Sequence, residues 1–277
     1  MSRVVVITGA AGNLGVKLRD HLAARGDYDL RLIDIDPRSD PEVQAADLSV
    51  VDRAWTDRFA GADAVVHLAA NASSAADWDA LIGPNVDASL NVYFAAARHD
   101  VRRVVLASSV WAMAGQRFGA ETLRADAPDP GPNAYGATKL FAERIAHAAW
   151  ANHGISTVAL RLGGCRPGDN APAPNDDPWE EQCWLSNDDA CRGLELAITA
   201  DIQGAHVVNL VSRNPESRWS LDEAYRILGY VPMDAGGSAA SPRGRLRRFV
   251  DCVARVWTRA RSPSRMRRPQ TAEAPRP

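Results

Sequence analysis

The first fifteen residues constrain this chain more than any other stretch. Val4-Val5-Val6-Ile7-Thr8 is an apolar, β-branched run, and Thr8-Gly9-Ala10-Ala11-Gly12-Asn13-Leu14-Gly15 continues directly from it. A run with no polar alternation reads as a strand buried on both faces, which occurs in parallel sheets covered by helices. The glycines follow a G-x-x-G-x-x-G spacing, and Leu14, Leu18, His21 and Leu22 then recur at helical intervals. Strand, glycine turn and helix in that order make a phosphate cradle. The turn lets the backbone approach a pyrophosphate, and the helix start offers free N–H groups and a positive dipole.

The same alternation continues downstream. Residues 30–34, 64–68, 104–108, 157–161 and 205–210 read as further strands, with helices over 85–98 and 134–152. Strands that alternate with helices imply a parallel sheet covered on both faces, with right-handed crossovers. The expected class is α/β, a Rossmann-type doubly wound parallel sheet. A small C-terminal substrate-binding portion and a basic helical tail complete it. Residues 166–179, rich in Pro, Asn, Asp and Gly, read as a loop. The main domain is expected over residues 1–233, a flexible linker over 234–245, and a basic amphipathic helix with a disordered tail over 246–277.

Charge separates these parts. The net charge is −2, yet residues 238–277 hold eleven Arg against Asp251 and Glu273, which leaves −11 for the body. Leu246, Phe249, Val250, Val253, Val256 and Trp257 follow helical spacing among those arginines. Such a helix suits an anionic surface or the acidic body of a subunit, and no nucleic-acid motif accompanies it. The whole chain is 46% hydrophobic and 24% charged over 277 residues, proportions that exclude collagen and a disulfide-stapled mini-protein. No apolar run approaches the roughly 18 residues of a membrane-spanning helix, and the run after Met1 is too short for a signal-peptide core. Cys165, Cys183, Cys191 and Cys252 form no C-x-x-C pair, so neither zinc nor a disulfide framework is suggested. A reducing cytoplasm is the expected location.

Three further features bear on chemistry. Asp34 ends the second strand, 19 residues after Gly15. A carboxylate there accepts hydrogen bonds from ribose hydroxyls and repels a 2′-phosphate, which favours NAD over NADP. Tyr135-Gly136-Ala137-Thr138-Lys139 places a phenol and an ammonium on one helical face. The ammonium is expected to lower the phenol's pKa, so that the phenol exchanges a proton with a substrate hydroxyl near neutral pH. With five Tyr and two Lys in the chain, the pattern arises by chance about 4% of the time. Ser108-Ser109 closes a strand where doubly wound sheets hold their ligands. His67, at another strand end, reads as a packing residue, and Trp111, Trp179 and Trp184 read either as pocket lining or as core.

These features, with Asp47-Leu48, His67-Leu68-Ala69-Ala70 and Asn85, occur in an order that resembles the NAD-dependent epimerase/dehydratase family over about residues 3–233. Within it, Leu106–Ser109, Arg161–Cys165 and Trp184–Asp189 resemble uronate dehydrogenases and related sugar oxidoreductases. The resemblance implies that Gly9, Gly12, Asn13, Leu14 and Gly15 hold the pyrophosphate, and that Asp34 holds the ribose. It implies further that Asp47 and Leu48 flank the adenine, with Leu68, Ala69 and Asn85 also toward the cofactor. Tyr135 becomes the acid/base, Lys139 tunes it and holds the nicotinamide ribose, and Ser109 binds the reacting oxygen. Asn85 is equally a structural or relay residue. Two features depart from the uronate dehydrogenase pattern. Val110 and Trp111 replace an Asn and a His, and loop 168–173 lacks an arginine for a sugar carboxylate. Only 94 residues separate Lys139 from Met233, little room for a nucleotide-binding lobe, so a small substrate is expected. The implied function is an NAD-dependent oxidoreductase acting on a small sugar or sugar acid, in a homodimer paired through the Tyr135 helix. A sugar epimerase or dehydratase, and a non-catalytic dinucleotide sensor, are the alternatives.

Overall fold

The computed structural model describes residues 2–127, 133–172 and 177–237. The linker beyond residue 237 and the whole basic tail lie outside the described residues. In chain order the elements are β1 (Arg3–Thr8), α1 (Asn13–Arg25), β2 (Tyr28–Asp34), β3 (Val43–Ala45), α2 (Arg53–Thr56) and β4 (Ala64–His67). There follow α3 (Trp78–Leu81), α4 (Ala88–Arg98), β5 (Arg103–Ser109), α5 (Ala134–His153) and β6 (Ser156–Leu162). The described fold closes with α6 (Pro178–Gln182), α7 (Asn187–Thr199), β7 (Ala205–Leu210) and α8 (Asp222–Leu228).

The seven strands form one parallel sheet in the order β3-β2-β1-β4-β5-β6-β7. The chain leaves β1 toward β2 and β3, then returns to place β4 on the other side of β1. That reversal opens a crevice at the carboxyl ends of β1 and β4, where such sheets take ligands. Val5 and Ile7 point to one face of the sheet and pack with Leu18, Leu22, Leu194 and Ile198 of α1 and α7. Val6 points to the other and packs with Val92, Ala96, Ala146 and Ala149 of α4 and α5. β1 is therefore apolar throughout because both its faces are covered.

Three local departures have physical causes. The helical run expected from Asn85 starts earlier, as a π-helical turn over Ile82–Asp87, before α4 takes over at Ala88. Pro84 sits inside that turn and cannot supply an N–H to a regular ladder. Residues 178–182 of the expected 166–179 loop segment and its continuation form α6, started by Pro178 and capped by Asp177, whose side chain accepts the Trp179 N–H. The chain also stays bound past Met233: the Asp234 carbonyl accepts the Arg213 N–H, and its carboxylate accepts the Ser186 hydroxyl. Among the described residues no helix is long and apolar enough to cross a membrane.

Candidate active site

A cleft of about 620 Å³ opens where the strands end. Gly9, Gly12, Asn13, Leu14 and Gly15 line it beside Asp34, Asp47, Leu48, Leu68 and Ala69, and Ser109, Tyr135 and Lys139 line it further along. Asn85 is not on that lining. It is buried behind it, where its Oδ1 accepts the Asn71 N–H (2.8 Å) and its Nδ2 donates to Thr138 Oγ1 (3.1 Å). It thus ties the loop after β4 to α5, a positioning role.

The glycine turn closes only with glycine at its first corner. Gly9 has φ +72°, and a Cβ there would lie 2.6 Å from the Ala69 nitrogen. The turn delivers the chain to α1 with Gly12 as N-cap and no side-chain capping bond. The first N–H groups of that 13-residue helix are therefore left for an anion at the cleft. Asp34 holds the arrangement from β2: its Oδ2 accepts the Ala11 N–H (2.9 Å) and its Oδ1 accepts the Asp36 N–H (3.2 Å). Asp34 also lines the cleft. Asp47 accepts the Ser49 hydroxyl (2.7 Å) and N–H (2.9 Å), which hold its carboxyl below the usual range. A pyrophosphate on α1 with a ribose against Asp34 fits these donors and acceptors.

The other end is built by β5 and α5. The start of α5 touches the loop after β5 so closely that a Cβ on Gly136 would stand 2.1 Å from the Trp111 carbonyl oxygen. This brings Tyr135 against Ser109, whose hydroxyl hydrogen-bonds the phenol and also accepts the Trp111 N–H (3.2 Å). Ser108, on the opposite side of the strand end, instead donates to Glu143 Oε1 (2.5 Å). The two serines thus have separate tasks, and only Ser109 meets Tyr135. Lys139 is buried, with Nζ 5.6 Å from the Tyr135 ring centroid and donating to the Ala107 carbonyl (2.9 Å).

The electrostatics correct one expectation. Burial raises the Tyr135 pKa, and the Ser109 hydrogen bond offsets this only partly. The expected net lowering is absent, because desolvation of the buried phenolate outweighs the Ser109 hydrogen bond. Lys139 is shifted as well: burial pushes it down to about 8, against an upward pull from Glu143. His67 is a packing residue, as read from the sequence. Its Nδ1 meets Thr8 Oγ1 (2.8 Å), its Nε2 meets Ser89 Oγ (3.2 Å), and burial, then Lys139, push it down to about 3.

Of the three tryptophans, Trp111 lines the cleft, whereas Trp179 (2% exposed) and Trp184 (7%) are core. Trp179 packs edge-on against Trp219 at 5.0 Å. Sequence reasoning missed the support beneath the site. Glu143, one turn beyond Lys139 on the same face, receives Arg161 Nε (2.9 Å) and Nη2 (2.8 Å). The extension of Tyr-x-x-x-Lys to a glutamate four residues later was the available signal.

The sequence model of the "NAD dependent epimerase/dehydratase family" matches residues 5–164. An L-arabinose 1-dehydrogenase (NAD(P)(+)) of Haloferax volcanii is 34% identical, covering 84% of this chain and 97% of its own. A uronate dehydrogenase of Pseudomonas putida is 31% identical, covering 83% of this chain and 84% of its own. The crystal structure of a mutant uronate dehydrogenase from Agrobacterium tumefaciens complexed with NAD superposes with a TM-score of 0.71 at 27% identity, over 87% of this chain and 92% of its own. With the glycine turn, Asp34 and the Ser109–Tyr135–Lys139 constellation on one cleft, and with these matches, the chain belongs to the NAD-dependent epimerase/dehydratase family.

Proposed function

We propose that this protein is an NAD-dependent dehydrogenase that oxidises a hydroxyl of a small sugar. The observation that carries this reading is the single cleft joining the α1 cradle and Asp34 to Ser109, Tyr135 and Lys139. The curated relatives, an L-arabinose 1-dehydrogenase and a uronate dehydrogenase, support it. Bound NAD supplies the hydride acceptor.

The protein's own residues handle the proton and the geometry. Tyr135 accepts the proton of the substrate hydroxyl as the C–H bond gives up its electron pair. Oxidation therefore requires the phenolate, and reduction requires the phenol. Ser109, which already bonds the phenol, orients the reacting oxygen toward it. Lys139 keeps a positive charge beside that phenolate below about pH 8 and loses it above. Leu90 and Phe94 on α4, with Phe141 on α5, leave an exposed apolar face, and we assign it to pairing in a homodimer. The described cysteines are free thiols, the state a reducing cytoplasm maintains.

The test is net NADH accumulation, read at the reduced nicotinamide band, when the purified chain and NAD meet a panel of small sugars. Tyr135→Phe is expected to lower kcat by about 10²- to 10⁴-fold with NAD binding intact by calorimetry. A fully active Tyr135→Phe variant refutes the assignment, and interconversion of sugars without NADH accumulation points to an epimerase.

A further inference from the structure

We propose that Glu180 makes the substrate end of the cleft selective for uncharged sugars and turns away sugars bearing a carboxylate or phosphate. The inference rests on the dehydrogenase reading above and deepens it.

The local chain explains why a carboxylate stands at this place. β6 runs into Gly163 and Gly164, where the Gly164 N–H donates to the Cys183 carbonyl (2.8 Å) and the Leu185 N–H donates to the Gly164 carbonyl (3.0 Å). A Cβ on Gly163 would stand 2.0 Å from the Cys183 oxygen, so α6 rests directly on the strand end. This contact lays Glu180 over the strand, with Oε2 3.7 Å from where a Cβ on Gly164 would sit. Glu180, Trp111, Gly164 and Cys183 share the cleft with Ser109 and Tyr135.

The charges around it decide the preference. The described charged side chains lining the cleft are Asp34, Asp36, Arg38, Asp47, Lys139 and Glu180. The first four lie at the adenosine end, after β2 and β3. Lys139 is buried and bonded to Ala107, which leaves Glu180 as the described charge that a substrate's far end meets. Arg117, 5.4 Å from the Trp111 ring, is ion-paired with Asp177. Among the described residues the Glu180 carboxylate has no hydrogen-bond or salt-bridge partner. Of the segments outside the described set, the internal ones, 128–132 and 173–176, contain neither Lys nor Arg, and 238–277 hold eleven Arg. A sugar hydroxyl donates to such a carboxylate and satisfies it. A second anion in the same cleft is repelled, which is selectivity by an unfavourable contact.

The test compares matched pairs on the full chain with NAD: galactose against galacturonate, and glucose against glucuronate and glucose 6-phosphate. The neutral member is expected to show kcat/KM higher by about tenfold or more, with the difference in KM. Glu180→Gln is expected to narrow that ratio about tenfold by lowering KM for the acidic members, and Glu180→Arg to invert it. A wild type that prefers the acidic members, or a Glu180→Gln ratio equal to wild type in a protein of unchanged melting temperature, overturns the proposal. In either case NADH still accumulates and the dehydrogenase reading stands. No NADH from any pair, with NAD bound, removes that reading and this inference with it.

Discussion

Replacing Arg161 by Met probes the support under the reacting groups. Arg161 on β6 and Glu143 on α5 are 4% and 5% exposed, and they meet through two N–H···O bonds of 2.9 and 2.8 Å. Ser108 adds a third bond to the carboxylate (2.5 Å), and Arg161 Nη1 also reaches the Ala125 carbonyl (3.1 Å). Methionine keeps the apolar bulk and removes the charge. It leaves the Glu143 carboxylate buried with Ser108 as its remaining described bond. Breaking a buried pair from one side costs about 3–5 kcal/mol, and a domain of this size loses about 2–4 °C per kcal/mol. The melting temperature is therefore expected to fall by about 6–20 °C. Removing both charges, in Arg161→Met with Glu143→Leu, is expected to recover most of the loss, since both ions then escape desolvation. The pH dependence of the loss distinguishes an orphaned buried charge from simple loss of packing. The orphaned carboxyl has a raised folded-state pKa, so the deficit should shrink as pH falls and the group takes up a proton. Circular dichroism melts of the four proteins at pH 5 and 8 read all of this. A single variant costing under about 1 kcal/mol, or a double variant as unstable as the sum of the singles, refutes the reasoning.

Two further outcomes follow from the same geometry. Lys139→Met should abolish turnover yet raise stability by up to about 3 kcal/mol at pH 7, because burial holds the ammonium down to about 8 from 10.5. Between those values the unfolded chain keeps its proton while the folded one releases it. The wild type's deficit therefore fades as pH rises from 8 to 10.5, and melts of both proteins across that window check it. Gly136→Ala places a Cβ 2.1 Å from the Trp111 oxygen, which pushes Tyr135 from Ser109. It should lower kcat at least tenfold, since small misplacements of reacting groups cost about 10²-fold, while calorimetric NAD affinity changes little.

The cofactor end was legible because backbone conformation dictates it. A left-handed residue at Gly9 and an uncapped helix start announce themselves as glycines after an apolar strand. Asp34 was legible as a strand-end acid, and Tyr135 with Lys139 as neighbours on one helical face. What could not be read depends on contacts between distant segments. The Glu143–Arg161 pair joins α5 to β6 across 18 positions. The sign of the Tyr135 shift depends on burial, which spacing does not reveal. Trp179 and Trp184 look like Trp111 in the sequence, and only packing assigns the first two to the core. Glu180 directly follows the segment 166–179 that reads as loop, and its place follows from the backbone bonds between Gly164, Cys183 and Leu185.

The two ends of the cleft therefore answer to different constraints. Tyr135 and Lys139 sit on a 20-residue helix whose start is locked against the loop after β5 and whose middle is pinned by Glu143 to β6. Moving either reacting group means disturbing a buried pair and the strand beneath it. Glu180 sits on a helix of five residues, attached to the sheet through the short stretch around Gly164. Its side chain has no described partner to lose. Exchanging its charge should therefore alter which sugar is accepted at little cost to the fold or to proton transfer. In this architecture, substrate choice and chemistry are physically separable, because different elements hold them and different forces fix those elements.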